Sequence, residues 1–378
     1  MSTRGARSTR PRTVLQYVDS DLVGGSERVL LQLLQGLDRT RWQPILLHHP
    51  AETLADLVEA AKAAGAAVHA VPPVTDRNFA LRLPGLVHAV ARFRPTVFHA
   101  QLNWPLACKF GLVSAALLGV PAVLTTVHLY IDDLMTRSVR FQVRAVSRGV
   151  HRYLAVAAHV RDRLAALGLP EPKLRVVRNG VDPATFERTV DGELRAHLGG
   201  GTRRPIVLTV ARLAPQKGLD VLLSAAALLS EAIFVVAGDG PDRCALAAQA
   251  DAAGIADRVR WLGPRQDIPD LLAACDVFVL PSIVEGLPLS ILEAMAAAKP
   301  VVASRVPGTD EVVLDGETGI LVPPRDPEAL ALAIRSLLSD PKRASRFGAA
   351  GRARVIAEFS TQRMVAAVAA QYEELLDR

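Results

Sequence analysis

Short apolar runs alternate with longer amphipathic stretches along most of the chain. In the first half the strand-like runs are TVLQYV, PILLHH, AAVHAV, TVFHA, AVLTTVH, YLAVAAH and LRVVRNGVD. A second cycle consists of PIVLTVARL, AIFVVAGDG, RVRWLG, DVFVLPS, PVVASR and GILVPP, each followed by a helical pattern of Ala and Leu. Such alternation predicts parallel sheets covered by helices. We therefore expect an α/β protein with two doubly wound, Rossmann-like domains facing a central cleft, with ligands at the carboxyl ends of the strands.

The 378 residues are too many for one typical domain and suit two α/β domains of ordinary size. The polar, irregular stretch after Asn179-Gly180 predicts the linker between them. In chain order, the expected organisation comprises a mobile basic tail (1–12), a first domain (13–185), a linker (186–204), a second domain (205–360) and a closing C-terminal helix (361–378).

Charge is distributed unevenly between the two halves. The net charge of +6 is made up of +10 in residues 1–190 and −4 in residues 191–378. Net charge bears on partners more than on fold, so the first half is expected to face an anionic surface or acceptor. Part of this excess belongs to the basic start of the chain, MSTRGARSTRPR.

The composition also limits the location and class of the protein. Half of the residues are apolar, which excludes a disordered chain. Cys108, Cys244 and Cys275 are isolated and odd in number, so we interpret them as small core residues in a reducing compartment and not as disulfides or zinc ligands. No apolar run is long enough to span a bilayer, and no apolar segment follows the basic start. A cytoplasmic protein is expected, with the inner membrane face as an alternative location.

Two cations and two carboxylates in the second half carry the main chemical signal. Arg212 follows the strand IVLTVA, and Lys217 lies next to Gly218, where a helix should begin. Two cations beside a helix N-terminus suit a diphosphate and would stabilise it as it leaves. Glu285 and Glu293 flank the start of another helix, where carboxylates suit sugar hydroxyls. Together these residues predict a pocket for a nucleotide sugar, and hence a glycosyltransferase.

Several longer strings resemble one known family. VARLAPQKGLD, GDGP, WLG, EGLPLSILEAMAAAKPVVAS and DGETGILVPP are similar to the donor half of the retaining glycosyltransferases of family 4, the glycosyl transferases group 1, which have the GT-B fold. LVGGSERVLLQLLQGL, TTVH and RNGVD resemble landmarks of the acceptor half, so the resemblance runs from Val14 almost to the end of the chain. It implies that the first domain serves the acceptor and the second binds the nucleotide sugar.

The resemblance assigns roles to the two carboxylates, Glu285 and Glu293. It implies that Glu285 lies beside the transferred sugar and that Glu293 binds the ribose hydroxyls. Because Pro288 is tolerated only in a first turn, the helix is expected to begin near Leu287. Backbone N–H groups of Gly286, Leu287 and Leu289 would then point at phosphate or sugar. Many relatives have a second Gly where this chain has Pro288, which lacks an N–H.

The same comparison singles out residues of the first half. His128 ends the strand AVLTTV, and the resemblance implies that it contacts the donor sugar and is a second catalytic candidate. Relatives often have Asp directly after this His, whereas this chain has Leu129. Gly24 and Gly25 lie between the first strand and its helix, where backbone could approach the donor diphosphate. His99 ends another strand, and a hydrogen-bonded wall residue is an equally good interpretation.

The loop Gly238-Asp239-Gly240-Pro241 is close to a dinucleotide fingerprint but has Arg243 at the third glycine position. No acidic residue ends the next strand, so NAD is a poor fit. We expect Gly240, Gly263 and Arg265 to surround the base of the nucleotide. Asp19-Ser20-Asp21 matches the DxD metal motif of another glycosyltransferase fold, but a structural loop is favoured and no metal is predicted.

A row of arginines at helical spacing follows the strand AVLTTV. Valines at 139, 143, 146 and 150 would occupy another side, as in an amphipathic helix. Such a stripe suits anionic lipid headgroups or an acidic acceptor, although a charged face is commonly only solvated. The arginines of this predicted stripe are Arg137, Arg140, Arg144, Arg148 and Arg152.

The combined prediction is a metal-independent enzyme that transfers a sugar from a nucleotide-diphosphate donor to a hydroxyl of a glycan or lipid-linked acceptor. The resemblance implies retention of anomeric configuration, through front-face attack assisted by the departing phosphate. No cofactor is expected besides the donor, and no nucleic acid partner. Two alternatives stay open: a nucleotide-sugar epimerase of the same fold and a non-catalytic nucleotide-sugar-binding module.

Overall fold

A computed structural model describes residues 11–377 and divides them into two compact units. The first unit holds the residues up to Arg178 together with those from Thr361 onward, and the second runs from Asn179 to Ser360. Each unit contains one parallel sheet with helices between its strands, so the predicted pair of Rossmann-like α/β domains is confirmed. Residues 1–10 of the predicted basic tail lie outside the described residues.

The described strands of the first unit are β1 (Arg12–Tyr17), β2 (Trp42–His48), β3 (Ala67–Ala70), β4 (Val97–Leu102), β5 (Ala122–Val127), β6 (Arg152–Ala155) and β7 (Leu174–Val176). They form a parallel sheet with the order β3-β2-β1-β4-β5-β6-β7. The helices between them are α1 (Gly25–Gly36), α2 (Ala55–Ala63), α3 (Phe79–Phe93), α4 (Lys109–Leu117), α5 (Arg137–Val146) and α6 (Ala158–Ala166). Strands β4, β5 and β6 are buried along their whole length, because helices cover the sheet on both faces.

The second unit has the same plan. Its described strands are β8 (Ile206–Val210), β9 (Ile233–Ala237), β10 (Val259–Gly263), β11 (Val277–Leu280), β12 (Val301–Ser304) and β13 (Gly319–Val322), in the sheet order β10-β9-β8-β11-β12-β13. Its described helices are α7 (Gly192–Leu198), α8 (Leu219–Ala227), α9 (Arg243–Ala252), α10 (Ile268–Ala274), α11 (Leu289–Ala296), α12 (Pro327–Leu338) and α13 (Pro341–Glu358). Apolar residues of β8, β9 and β11 pack against α8, α9 and α12 to form the core.

The chain ends in α14 (Thr361–Leu376), which belongs to the first unit. Val365 of this helix packs so closely on Gly36 of α1 that a Cβ at Gly36 would collide with it. Tyr372 packs edge-on against Trp42, with 5.3 Å between the ring centroids. The predicted C-terminal helix is therefore present, and it completes the core of the first unit.

The structure divides the chain at a different place from the predicted boundary after residue 185. The division falls between Arg178 and Asn179, and the predicted linker 186–204 belongs to the second unit. It contains α7, whose N-cap Asp191 accepts hydrogen bonds from the N–H groups of Glu193 and Leu194. Arg195 then binds Asp276 at 2.8 Å. These contacts order a polar stretch whose composition resembles that of a loop.

The predicted arginine stripe is wrong at Arg152. Helix α5 ends at Val146, and Arg152 is the first residue of β6, fully buried and paired with Glu374 of α14 at 2.8 Å. A short 3-10 turn, Ser147–Gly149, follows α5, and the backbone is extended at Val150, so the helix does not continue to Arg152. Gly149 lies against Ala116, where a Cβ would collide. The regular spacing of arginines thus extends past the end of the helix. Arg137, Arg140, Arg144 and Arg148 are exposed.

Two further sequence expectations concern cysteines and membranes. Cys108 and Cys275 are buried as expected, whereas Cys244 is exposed on α9 and is not a core residue. Burial raises the pKa of the Cys275 thiol to about 12, so it is protonated and inert at neutral pH. Across residues 11–377, no helix is both long enough and apolar enough to cross a membrane.

Candidate functional site

Lys217 and Glu285, which the sequence placed in one pocket, contact each other in the second unit. Lys217 Nζ donates a hydrogen bond to Glu285 Oε1 at 2.6 Å, and Ser282 Oγ donates to the same oxygen at 2.6 Å. The Glu285 side chain is only 6% exposed and that of Lys217 is 22% exposed. A buried carboxylate needs such partners, because an isolated charge is costly to remove from water. The contact joins the predicted diphosphate and sugar residues in one place.

The two loops that carry this pair are fixed by backbone contacts. Lys217 ends a short 3-10 turn after β8, and Gly218 begins α8 in a left-handed conformation. A Cβ at Gly218 would collide with the carbonyl oxygen of Pro281, so only glycine permits this approach of the two loops. Ile283 N–H also donates to the carbonyl of Gln216 at 2.8 Å. Contacts between the main chains of the two loops therefore fix the positions of Lys217 and Glu285 relative to each other.

Glu293 lies on α11, one helical turn beyond its start. The helix begins at Leu289 with Pro288 as its N-cap, slightly later than the predicted start near Leu287, because the residue before the helix keeps an extended backbone. Glu293 is buried, and Leu289 and Glu293 are four residues apart and share one face. Within residues 11–377, the N–H groups of Gly286, Leu287 and Leu289 donate to no other group. Buried N–H groups of this kind are suited to a ligand's oxygens.

Arg212 follows β8, at the same end of the sheet as the Lys217 loop. Its side chain is exposed, and its guanidinium group forms no hydrogen bond or ion pair within residues 11–377. The neighbouring Leu213 donates its N–H to Asp239 O at 3.0 Å and accepts from Asp242 N–H at 3.1 Å. A Cβ at Gly240 would collide with the Leu213 backbone. This packing fixes the main chain of Arg212 and leaves its cationic group free for an anion.

The predicted base-binding residues lie on adjacent loops of the same unit. Gly238 N–H donates to Gly263 O at 2.8 Å, which joins the loop containing Gly240 to the end of β10. Arg265 is already paired with Asp267 at 2.5 Å. Its hydrogen bonds to Asp267 raise the pKa of Arg265, so this guanidinium is cationic and held in place. Gly240 and Gly263 thus lie on two loops that a backbone hydrogen bond joins, and Arg265, two residues after Gly263, forms an ion pair.

The glycine pair of the first unit occupies the start of α1. Gly24 is the N-cap, and its N–H donates to Glu27 Oε2 at 2.8 Å, as in a capping box. That donor is therefore already used. Gly25 N–H has no acceptor within the described residues, so Gly25 is the better donor of the two for a phosphate.

The Asp19-Ser20-Asp21 segment is tied into the first unit by both carboxylates. Asp19 Oδ2 accepts a hydrogen bond from Cys108 N–H at 2.5 Å, and Asp21 Oδ1 bonds His49 Nδ1 at 3.0 Å. Each carboxylate thus holds a neighbouring part of the chain. In the part of the chain from 11 to 377, no cluster of three or more His, Cys, Asp or Glu side chains is arranged to hold a metal ion.

His128 follows β5 and is partly exposed. Its Nε2 lies 2.9 Å from Oε1 of Gln101, a buried residue of β4. Desolvation lowers the pKa of His128 to about 3, so the imidazole is neutral at physiological pH. His99 is completely buried, and burial, followed by the nearby His128, lowers its pKa to about 3 as well. His99 bonds Tyr372 and Thr126, which agrees with the interpretation of a hydrogen-bonded wall residue.

Sequence reasoning missed several residues that hold these groups. Ser282 bonds Glu285, and buried Asn179 donates its side-chain N–H to Leu287 O at 3.2 Å. Gln16 and Gln101 are buried polar residues within apolar strands of the first unit. An amide in the middle of a buried strand was the available signal for these two, since it needs a partner. Nothing local pointed to Ser282.

Chemically, the second unit offers positive charge, free N–H groups and buried carboxylates at one end of a parallel sheet. Lys217 and Arg212 can neutralise a diphosphate, and Glu285 and Glu293 can accept hydrogen bonds from hydroxyls. The carboxyl ends of parallel strands are the usual place for ligands in such folds. The arrangement suits a phosphorylated sugar.

Comparisons with known proteins agree with this chemistry. The family model described as Glycosyl transferases group 1 matches residues 191–354, and that described as Glycosyltransferase Family 4 matches residues 23–185. The crystal structure of Anabaena Alr3699/HepE in complex with UDP and glucose superimposes with a TM-score of 0.85 at 22% identity. That match covers 95% of this chain and 99% of the other, and it shows a shared fold.

Two curated mycobacterial relatives are more similar in sequence. Alpha-maltose-1-phosphate synthase of Mycolicibacterium smegmatis is 36% identical over 295 residues, 70% of this chain and 75% of that protein. The GDP-mannose-dependent alpha-(1-6)-phosphatidylinositol monomannoside mannosyltransferase of the same organism is 34% identical over 228 residues, 56% of this chain and 59% of that protein. The chain therefore belongs to glycosyltransferase family 4, within the glycosyl transferases of group 1 and the GT-B fold class.

Proposed function

We propose that the protein transfers a sugar from a nucleotide-diphosphate donor to a hydroxyl of a glycan or lipid-linked acceptor, with retention of anomeric configuration. The observation that carries this proposal is the buried contact of Lys217 with Glu285 beside N–H groups that have no acceptor in the described chain. A cation and a carboxylate so close together suit a ligand that presents phosphate and hydroxyl groups side by side. Relatives whose names specify GDP-mannose and a structure bound to UDP support a nucleotide-sugar donor.

In this proposal the diphosphate is held by positive charge and by backbone donors. Arg212 and Lys217 neutralise the phosphates, and the N–H groups of Gly25, Leu287 and Leu289 donate to their oxygens. When the bond to the sugar breaks, negative charge develops on the departing phosphate. Groups already fixed by their main chains stabilise that charge without reorganising, which lowers the barrier.

The sugar and the ribose would be held by carboxylates. On phosphate binding Lys217 turns from Glu285 to the ligand, and Glu285, still bonded to Ser282, accepts from a sugar hydroxyl near Gly286. Glu293, one turn into α11, accepts from the ribose hydroxyls. His128 makes a further hydrogen bond to the transferred sugar, and Gly240, Gly263 and Arg265 surround the base.

Retention follows if the acceptor hydroxyl attacks the same face that the phosphate leaves. The departing phosphate oxygen then takes the proton of the acceptor, so no separate base is required in the protein. The anomeric configuration of the product, read from its proton coupling constants, tests this directly. Retention supports front-face attack, whereas an inverted product contradicts it.

The donor is tested first by binding. Melting temperatures are compared with and without UDP, GDP and ADP, since a ligand of the folded state raises the melting temperature. Lys217→Ala should reduce the shift given by the preferred nucleotide, because it removes a phosphate contact. Lys342→Ala, at an exposed lysine of the second unit, is the matched control and should leave the shift unchanged.

Turnover then separates transfer from the two rival functions. Release of nucleotide that rises with a particular acceptor, together with a new glycoside, supports transfer. Conversion of the donor sugar without any acceptor would indicate an epimerase. Tight nucleotide binding with no conversion across an acceptor panel would indicate a binding module, and either result would overturn the proposal.

We also propose that the exposed face of α5 contacts an anionic membrane surface. Phe141 is 72% exposed between arginines at 137, 140, 144 and 148, all of them exposed. An apolar ring among cations is suited to insertion between anionic headgroups. This surface excludes Arg152, which is buried.

Vesicle flotation tests the membrane contact. Binding to vesicles containing phosphatidylglycerol should exceed binding to pure phosphatidylcholine, and Phe141→Ser with Arg140→Glu should reduce it to the phosphatidylcholine level. Arg203→Glu with Arg204→Glu, which alters exposed arginines of the second unit, is the control. Equal binding to both vesicle types, or an unchanged Phe141 and Arg140 variant, would contradict the proposal.

A further inference from the structure

A continuous row of buried side chains leads from His128 into the first unit. His128 Nε2 lies 2.9 Å from Gln101 Oε1, and Gln101 Nε2 donates to Gln16 Oε1 at 3.1 Å. Gln16 Nε2 in turn donates to the hydroxyl of Tyr372 at 2.9 Å. Gln16, Gln101 and Tyr372 are at most 2% exposed. Water therefore does not compete for the hydrogen bonds among Gln16, Gln101 and Tyr372.

The row continues beyond Tyr372 to His99 and Thr126. The Tyr372 hydroxyl lies 2.7 Å from His99 Nδ1, and His99 Nε2 lies 2.8 Å from Thr126 Oγ1. The positions follow from the sheet: His99 pairs with Gln16 across β4 and β1, and residues two apart on one strand share a face. Neighbouring strands thus place all of these groups on one side of the sheet.

The chemistry of the amide group gives this row a direction. An amide nitrogen only donates and an amide oxygen only accepts. Since Gln101 uses its nitrogen to donate to Gln16, the atom that it presents to His128 is its oxygen. An oxygen at 2.9 Å requires a hydrogen on His128 Nε2.

The far end of the row agrees with this direction. Gln16 donates to the Tyr372 hydroxyl, so the hydrogen of that hydroxyl is available for His99 Nδ1. His99 Nε2 then carries the hydrogen that it donates to Thr126. Each donor in the row meets an acceptor without conflict.

We propose that Gln101 and Gln16 are positioning residues, oriented by Tyr372, that hold His128 as the neutral Nε2–H tautomer so that its Nδ1 accepts a hydrogen bond from a hydroxyl of the transferred sugar. This inference rests on the proposed function for its ligand. Which imidazole nitrogen carries hydrogen is set by the hydrogen bond of the other nitrogen. Nδ1 of His128 has no hydrogen-bond partner within residues 11–377, and burial keeps the ring neutral.

The tautomer decides what His128 can do at the reaction centre. With hydrogen on Nε2, the ring offers a lone pair at Nδ1 and orients a sugar hydroxyl as an acceptor. It does not donate to the departing phosphate, a role that stays with the cations. A flip of both amides would reverse every bond in the row and put the hydrogen on Nδ1, which would make His128 a donor instead.

The test reads the tautomer from nitrogen-15 shifts of the imidazole in enzyme labelled at histidine. His128→Asn identifies the signals by their loss. The wild type should show the Nε2–H pattern for His128. Gln101→Met, which keeps the length of the side chain but removes its hydrogen bonds, should give a mixture of tautomers, and Gln142→Met on α5 is the matched control.

Gln16→Met is the sharper variant because Gln16 does not touch His128. It frees the Gln101 amide to rotate, so both tautomers should appear, whereas a purely local role of Gln101 predicts no change. An Nδ1–H pattern in the wild type would overturn the proposal. So would a pure Nε2–H pattern in both the Gln101→Met and the Gln16→Met enzyme.

Kinetics separate this inference from the function on which it rests. Gln101→Met should lower kcat about tenfold and change KM for the donor less than about twofold, as expected for a group that acts mainly in the transition state. If no donor gives transfer with the wild type, the proposed function fails while the tautomer result stands. If transfer is normal but the tautomers are unaffected by Gln101 and Gln16, only the present inference fails.

Discussion

The carboxylate of Glu285 accepts hydrogen bonds at one oxygen from two side chains, Lys217 and Ser282. Ser282 belongs to the same buried loop as Glu285, whereas Lys217 comes from the loop after β8 and is partly exposed. The serine therefore fixes the carboxylate, and the lysine is the partner that a phosphate can draw away. This division predicts that removing the Ser282 hydroxyl and removing the Lys217 cation have different effects.

Ser282→Ala should lower turnover about tenfold while the affinity for the nucleotide stays within about twofold. A hydrogen bond to a charged group contributes about 1.5–3 kcal/mol, and only the orientation of Glu285 is lost. Steady-state rates and nucleotide-induced melting shifts measure the two effects separately. Ser345→Ala, at an exposed serine of α13, is the control. A large loss of nucleotide affinity in Ser282→Ala would show that the serine serves the phosphates.

The buried His99 should make stability depend on pH. Its pKa is about 3 in the folded state, below the ordinary value of 6.5 expected on unfolding. The unfolded chain therefore binds the additional proton, and stability is lost as pH falls from about 6.5 towards 3. Between pH 7.5 and 5.5 the loss from His99 should be about 1.4 kcal/mol.

Urea unfolding of the wild type and of His99→Gln at both pH values checks this expectation. The variant starts from a lower stability because Tyr372 and Thr126 lose a partner. The predicted quantity is the difference between the two pH values, which should shrink by about 1.4 kcal/mol in the variant. An unchanged difference would mean that protonation of His99 does not cause the loss of stability at acidic pH.

At this scale the sequence predicted the charged residues better than the groups that hold them. Glu285, Lys217 and Arg212 occur in local strings with a chemical meaning, so they could be recognised without coordinates. Gln101 and Tyr372 act on His128 only because β4, β5 and α14 meet in space. Such contacts depend on tertiary packing, which local patterns do not contain.

At the scale of elements, periodicity found the strands but misjudged one helix. The strand runs of both sheets were predicted correctly because buried parallel strands are short, apolar and separated by helical patterns. The arginines after residue 137 kept a helical spacing beyond the end of α5, and Arg152 proved to be a strand residue. The chain turns at Gly149, where the close approach to Ala116 was not visible in the sequence.

Arg152 has a structural role that predicts unequal effects for two adjacent glutamates of α14. Glu374 pairs with the fully buried Arg152, whereas Glu373 pairs with Arg41, which is largely exposed. Glu374→Ala leaves a buried cation without its carboxylate and should cost about 3 kcal/mol of unfolding free energy. Glu373→Ala should cost less than about 1 kcal/mol. Urea unfolding of the two variants measures both, and equal losses would show that burial of Arg152 is not decisive.

At the scale of the whole molecule, the chain crosses between its units more than once. The sequence predicted two domains and a terminal helix, but it could not show that this helix returns to the unit that starts the chain. That assignment depends on Tyr372 packing on Trp42 and on Glu374 reaching Arg152. Both contacts join residues that are distant along the sequence.

The two units should differ when they are produced separately. Residues 179–360 form one continuous segment that includes Arg212, Lys217, Glu285 and Glu293. This fragment should fold and show a melting shift with the same nucleotide as the full protein. A fragment ending at residue 178 lacks α14 and should fail to give a cooperative melting transition, because Arg152 and Trp42 lose their partners. Cooperative melting of that fragment would contradict the role given to α14.

The position of α14 also sets an order of events during synthesis on the ribosome. A domain normally folds as it emerges, from the N-terminal end onward. In this protein the first unit lacks α14 until residues 361–376 have been made, so the segment from Asn179 to Ser360 can fold earlier. A chain that stalls before Tyr372 never supplies the hydroxyl that orients Gln16. The proposed tautomer of His128 therefore forms only in chains that include α14.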